Sequence, residues 1–380
     1  MPFNCKPRRK SAPFKETGLL LVILALATVL GIFGGSMRIP NHETGTVQTF
    51  NKFLRMDNLD MVVKNSSFFA VMAIGETCVI ITGGIDLSVG AIYCLAAVCG
   101  AMFLSYFGPG GAGAGASAAW VVPAAILLCV GVGTLCGLLN GIGVVGLRIH
   151  PFVVTLGTMA IYRGVAFVMT KAQAYTGFPS EFTDGLIRHE INWQGATIYP
   201  IPFLTMAGMT VLAGSYLKRT VTGRYIFALG GNEQAALFSG LPIQWIKLKV
   251  YAFSGFTAGV AAVIMLGYYG SASSGAGTGY ELQVIAAAVV GGASLSGGRG
   301  TALGALLGAL IIQIIENGIV ILNVDQNYSQ IIIGSVIILA VLLDRISSFW
   351  RSKRSSRPIR PAAAEEDPPD VASLKSQITE

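Results

Sequence analysis

Long apolar runs separated by short polar interruptions set the pattern of this chain. A membrane-spanning helix needs about 20 predominantly apolar residues, and ten segments are candidates: 18–35, 66–85, 87–107, 118–147, 152–170, 198–217, 250–270, 282–297, 301–322 and 328–343. The pattern predicts an all-α, polytopic membrane protein. A short segment, 1–17, precedes the first span. The tail, 344–380, turns from basic to acidic and is rich in Pro and Ser, a composition that predicts disorder.

Charge gives the pattern a direction. Cytoplasmic loops carry an excess of Lys and Arg, and with the amino terminus inside, 19 of the 26 basic residues fall on cytoplasmic segments. Arg38, Lys52, Arg55, Lys64, Lys171 and Arg188 fall on outer ones, and Arg163 lies within a span. An even number of spans returns the carboxyl terminus to the cytoplasm. Segment 36–64 holds four of the six outer cations and fits this assignment least well; an amphipathic stretch on the membrane surface near 47–60 is an alternative for it.

Composition then removes function classes. The 380 residues are 53% hydrophobic and 12% charged, against about a quarter charged in soluble chains. That excludes a soluble enzyme and a disordered regulator. The net charge of +7 is spread over several loops, which excludes a nucleic-acid binder. No interval between spans approaches the roughly 50 residues of a small domain. Nor does the phosphate-loop pattern Gly-x-x-x-x-Gly-Lys-[Ser/Thr] occur. No nucleotide-hydrolysing or ligand-capturing domain is therefore expected on this chain, and no cofactor.

Cys5, Cys78, Cys94, Cys99, Cys129 and Cys136 lie in apolar stretches or the basic amino terminus, and read as small thiols rather than a disulfide framework or metal cluster. His42, His150 and His189 are scattered. With no metal-spaced acidic pair and no His or Cys nucleophile arrangement in the loops, no catalytic or metal-binding residue is assigned, which argues against an enzyme acting on lipid-linked substrates.

Glycine placement predicts how the helices pack. Gly133, Gly137 and Gly141, then Gly255 and Gly259, then Gly304 and Gly308, repeat at four-residue spacing. This spacing puts small residues on one helix face and lets backbones approach closely. Two further frames, GGIDLSVG at 83–90 and GGASLSGG at 291–298, share Gly-Gly-x-x-Leu-Ser and should interrupt their helices at the cytoplasmic end. Matching interruptions in two halves point to an internal repeat and a substrate path between them.

Ionisable and amide groups inside spans usually face a cavity or a partner. Glu76, Arg163 and Glu316 are intramembrane, with Asp86 and Glu281 near span ends. Asp86 suits a cap accepting from the first N–H groups of the third span, and Glu281 suits a first helical turn. Gln313, Glu316 and Asn317 form one polar stripe at i, i+3, i+4, serving either an aqueous path or an inter-helix network. Asn140 fits either role, and Arg163 and Glu76 are candidate partners. Amides and carboxylates with one arginine suit a neutral, hydroxyl-rich solute.

The stretch 218–249 carries the most specific local feature, GGNEQAALFSGLP at 230–242. Asn232 suits a helix N-cap, Glu233 the first turn and Gly240 the position past the end, while Pro242 prevents continuation. A helix of about two turns is marginal in water alone and needs a docking surface.

With these residues the chain resembles the membrane subunits of bacterial ABC importers for monosaccharides, the ribose and xylose permeases. TGRYIFALGGNEQAALFSGL at 222–241 is similar to the ATPase-contacting loop of that family. GGIDLSVG and AGTGYELQVIAAAVVGGASLSGGRG at 276–300 are similar to its other recurring segments. The likeness runs from about Ser66 through Asp344, with ribose permeases nearest. It implies a permease domain at 18–343, carrying a monosaccharide such as ribose across the bacterial inner membrane. It implies a coupling helix built from Gly230, Gly231, Asn232, Glu233, Ala236, Ser239 and Gly240, seated on a separate ABC ATPase subunit that binds ATP and Mg. It further implies a second permease subunit, alike or different, and an extracytoplasmic sugar-binding protein. The family usually has Met where Glu76 stands and Asp where Gln283 stands. A branched-chain amino acid or autoinducer permease is an alternative, as is an ion-coupled carrier using Glu76, Asp86 and Glu316.

Overall fold

The computed structural model describes residues 14–40, 47–193 and 196–355. Expectations for Cys5, for most of segment 1–17 and for the tail beyond 355 lie outside the described residues. Contacts divide the chain into a unit ending at Val341 and a second unit, Leu342–Glu380. The cavities and contacts discussed below belong to the first.

The first helix, α1 (Phe14–Phe33), leads to a hairpin of β1 (Ser36–Pro40) and β2 (Val47–Asn51). There follow α2 (Met56–Ile81), α3 (Val89–Phe107), α4 (Ala118–Gly146) and α5 (Pro151–Thr170). A connection holding β3 (Tyr175–Thr176), the single turn α6 (Ser180–Phe182), a wide turn at Thr183–Ile187, β4 (Ile191–Trp193) and β5 (Ala196–Ile198) reaches α7 (Pro200–Arg219). Next come α8 (Val221–Gly231), α9 (Glu233–Phe238), α10 (Ile243–Tyr269), β6 (Ser271–Ala272), α11 (Tyr280–Val290), α12 (Ala302–Ile321) and α13 (Tyr328–Ser355). Among the described residues, strands pair as two-stranded antiparallel ribbons, β1 with β2, β3 with β6 and β4 with β5.

Each of the ten expected spans corresponds to a helix. Eight of these (α1, α2, α3, α4, α5, α7, α10 and α12) are long and apolar enough to cross a membrane, whereas α11 and the apolar part of α13 are shorter. At 1.5 Å per residue α11 covers about 16 Å, half of a hydrocarbon core. The expected helix 282–297 stops at Val290 because Gly291 and Gly292, the latter at φ +94°, end it.

The amino-terminal end of α2 departs most from expectation. The helix starts at Met56 rather than near 66, and residues 47–60 form β2 and the first turn of α2 rather than a surface helix. Lys64, assigned by sequence to an outer loop, is buried within α2. It pairs with Asp60 at 2.7 Å and lies over the rings of Tyr199 and Tyr268 at 4.3 and 4.6 Å. The pair neutralises two charges that make this turn look like loop in a hydropathy scan.

Every residue from Ser66 through Ile81 is buried, so α2 forms the centre of the bundle, touched by α7, α10, α11 and α12. The glycine faces pack as their spacing predicts. A methyl group on Gly133 would meet Gly259 Cα at 2.8 Å, and one on Gly137 would meet Gly255 Cα at 2.9 Å, so α4 and α10 touch backbone to backbone. Gly308 lies against Gly291 N in the same way, joining α12 to α11. Leu24, Leu127, Val168 and Val211 are exposed on α1, α4, α5 and α7. These apolar outer faces suit lipid contact.

Candidate functional site

The bundle has two ends: one carries α8 and α9, the other the β-ribbons. At the ribbon end a cavity of about 260 Å³ opens between α2, α12 and α13, lined by Asn65, Gln313, Glu316, Asn317, Gln326 and Ser329 beside apolar residues. The stripe expected from the i, i+3, i+4 spacing is thus assembled, and it serves both a cavity and a network. Gln283 Nε2 on α11 donates to Glu316 Oε1 at 2.6 Å, and Gln313 Nε2 donates to Glu316 Oε2 at 3.0 Å. Asn58 and Asn317 exchange two amide hydrogen bonds, at 2.7 and 3.2 Å.

A second recess of about 240 Å³ is lined by Tyr93, Tyr269, Ser271, Ser273 and Tyr280 with Met265 and small residues. Asn65 connects the two: it lines the first cavity and its Oδ1 accepts from Tyr269 OH at 3.4 Å. Aromatic faces and side-chain amides together meet the needs of a polyhydroxylated ring, whose C–H face is apolar and whose hydroxyls each donate and accept. Among the described residues, neither recess is lined by Lys, Arg or His.

Asp86 sits deeper, in a buried network that fixes the α2–α3 turn. Its Oδ1 accepts from the Ser88 backbone N–H at 3.0 Å and Ser88 Oγ at 2.6 Å, and its Oδ2 accepts from Ser254 Oγ at 3.1 Å. Asn140 Nδ2 donates to Ser88 Oγ at 2.6 Å, while Asn140 Oδ1 accepts from Tyr162 OH at 3.2 Å. Asp86 thus closes an Asx turn on Ser88, the residue before α3, instead of capping the helix's own N–H groups, and Asn140 belongs to the same network. Glu76 Oε1 accepts from the Asp86 N–H at 3.1 Å; its Oε2 and the Tyr251 hydroxyl are buried without a hydrogen-bond partner among the described residues.

Arg163 does not meet Glu76. Its guanidinium donates to the carbonyls of Ser274, Ala276 and Gly277, pinning the non-helical segment that precedes α11. An arginine suits this position because its fork of five donors holds several carbonyls at once. Glu281 stands in the first turn of α11, as expected, against Gly90 of α3.

At the opposite end the stretch 218–249 holds α8 and α9 between the end of α7 and the first turns of α10, and Gly230 and Gly231 fall at the end of α8 rather than in α9. Thr220 caps α8 through Gly223 N, and Gly230 and Gly231 close it. Asn232 Oδ1 then accepts from Ala235 N at 2.9 Å, capping α9 as its sequence requires. Glu233 pairs with Lys247 Nζ at 2.6 Å, Ala236 is buried, Ser239 Oγ donates to the Ala235 carbonyl, and Gly240 turns the chain at φ +74°. Leu237 and Phe238 project outward, 58% and 84% exposed.

Sequence reasoning missed Asn58, Asn65 and the tyrosines. Asn58 and Asn65 stand seven residues apart, two turns of α2 on one face, a spacing visible only once the helix is known to start at Met56.

Residues 58–341 match the family described as branched-chain amino acid transport system / permease component. The chain is 39% identical over 297 residues to the ribose import permease protein RbsC of Escherichia coli K12, covering 77% of this chain and 87% of that protein. It is 37% identical over 293 residues to RbsC of Haemophilus influenzae, covering 77% and 86%. It is 35% identical over 300 residues to the D-allose transport system permease protein AlsC of Escherichia coli K12, covering 78% and 86%. No solved structure matches the chain.

Proposed function

Because the chain belongs to the family of branched-chain amino acid transport system permease components, we propose that it is the membrane permease subunit of an ATP-driven importer for a monosaccharide, a ribose-like pentose first. The sugar enters at the ribbon end, where Asn65, Gln313, Asn317 and Tyr269 offer amides and an aromatic face. An amino acid substrate would need fixed charges of both signs, and the two recesses offer Glu316 alone, already held by two amides. The names of the relatives, which carry ribose or allose, support the same choice.

Energy comes from a separate ATPase subunit that binds ATP and Mg and grips α9. The observation that carries this reading is Phe238, an aromatic ring 84% exposed at the end of a helix that a cap and an ion pair hold in place. Such a ring is an anchor awaiting a pocket. A second permease subunit and an extracytoplasmic sugar-binding protein complete the assembly, in a bacterial inner membrane.

Phe238→Asp tests the reading. Co-purification of the ATPase with the permease should fall by at least about tenfold, a loss typical of removing an interface anchor, while the variant alone melts like wild type. Radiolabelled ribose uptake, competed with allose, xylose and leucine, identifies the cargo; competition by leucine alone would overturn the sugar assignment.

A further inference from the structure

The loop that closes the second Gly-Gly-x-x-Leu-Ser frame meets the end of α2, two residues ahead of the first frame, and both meet α8. The Gly298 N–H donates to the Ile81 carbonyl at 2.8 Å, joining the loop after α11 to the last residue of α2. Gly230 packs into the same junction: a methyl group there would overlap the Ile81 carbonyl oxygen and lie 2.6 Å from Gly298 N. Gly297, at φ +82°, faces Gly230 O, and Gly298, at φ +73°, faces Gly231 Cα. Ile226 and Leu229 of α8 bury against Cys78, Val79 and Ile81 beside it. Within the frames the left-handed glycines are Gly83 in one and Gly292, Gly297 and Gly298 in the other, so the first glycine of the leading pair is left-handed in one frame and the second in the other. The shared sequence therefore does not give two copies of one turn; what links the two segments is the junction of Ile81, Gly230 and Gly298.

We propose that the Ile81–Gly230–Gly298 contact is the joint through which movement of the α8–α9 pair reaches both interrupted segments, with Gly230 and Gly298 as positioning residues. The inference rests on the coupling role proposed for α9. Three backbones packed this closely have no side chain to yield between them, so a displacement of α8 must carry the end of α2 and the 291–298 loop with it. From Ile81 the chain enters the turn held by Asp86. From Gly298 it is tied through Gly291 and Gly304 to α11, whose other end presents Gln283 to Glu316 in the ribbon-end cavity.

The test uses the assembled transporter, with its ATPase and binding protein, in liposomes. Gly230→Ala and Gly231→Ala both raise helix propensity at the end of α8, but only the first inserts a methyl group into the junction; at Gly231 a methyl group meets nothing within 4 Å. Gly230→Ala should keep ATP hydrolysis within about twofold of wild type and lower sugar uptake at least about tenfold relative to Gly231→Ala, a loss confined to coupling. Equal uptake in the two variants would overturn the proposal. If Gly230→Ala fails to assemble, spin labels at Gln234→Cys and Leu295→Cys in otherwise wild-type complex replace it. Their separation should hold within about 2 Å between nucleotide-free and ATP-trapped states, and a change of about 5 Å, the scale of one element slipping past another, would overturn the joint. Wild-type uptake without the ATPase would instead sink the coupling role itself.

Discussion

Gln283 Nε2 donates to Glu316 Oε1 at 2.6 Å, so the short helix α11 is tied to α12 beside the cavity where the cargo is expected to enter. Gln283→Leu removes this donor and leaves Glu316 with one fewer partner in a half-buried site. The expected cost is about 1–3 kcal/mol of stability, the penalty for an unsatisfied buried acceptor, read as a lower melting temperature in detergent. Gln283→Asp adds a second carboxylate against Glu316 and should also raise the KM for sugar uptake. Unchanged melting and unchanged KM in both variants would separate this contact from stability and transport alike.

Asp86 accepts from the Ser88 N–H, Ser88 Oγ and Ser254 Oγ at once. Asp86→Ala orphans several buried donors and should destabilise the bundle by about 3 kcal/mol or more. Asp86→Asn keeps one acceptor oxygen and should lose less. Melting curves that rank Asn below Ala would contradict the network.

Lys64 and Asp60 are buried together under Tyr199 and Tyr268. Lys64→Met leaves a buried carboxylate unpaired, with an expected loss of about 3–5 kcal/mol, whereas Lys64→Met with Asp60→Leu should recover most of it. A double-mutant cycle on melting temperature reads the recovery. Additive losses would show that the two residues act independently.

Gly133 and Gly259 meet backbone to backbone between α4 and α10, while nothing lies within 4 Å of a methyl group at Gly131. Gly133→Leu should abolish accumulation of folded protein. Gly131→Ala should gain up to about 1 kcal/mol from helix propensity. Size-exclusion profiles of the two variants decide it.

Much of this architecture is readable in the chain. Four-residue glycine spacing marks the packing faces of α4, α10 and α12, though not which helix each meets, and Asn232 with Gly240 marks α9, because both signals are local and steric. The start of α2 was hidden because Asp57, Asp60 and Lys64 resemble loop until Asp60 and Lys64 neutralise each other across one helical turn. The partner of Arg163 was hidden because its acceptors are backbone carbonyls of residues 274, 276 and 277, which no side-chain pattern reveals. The Tyr269–Asn65 link joins residues 204 apart in sequence and exists only in the fold.

The central claim is that this chain moves sugar only when a separate ATPase acts on α9. Uptake of radiolabelled ribose into sealed liposomes, measured for the permease alone and then with its ATPase, binding protein and internal or external Mg-ATP as orientation requires, tests it directly. The account predicts no accumulation above equilibration by the permease alone, and ATP-dependent concentration once the complex is complete. Concentration of sugar by the permease alone, driven by an ion gradient and abolished by its collapse, would contradict it.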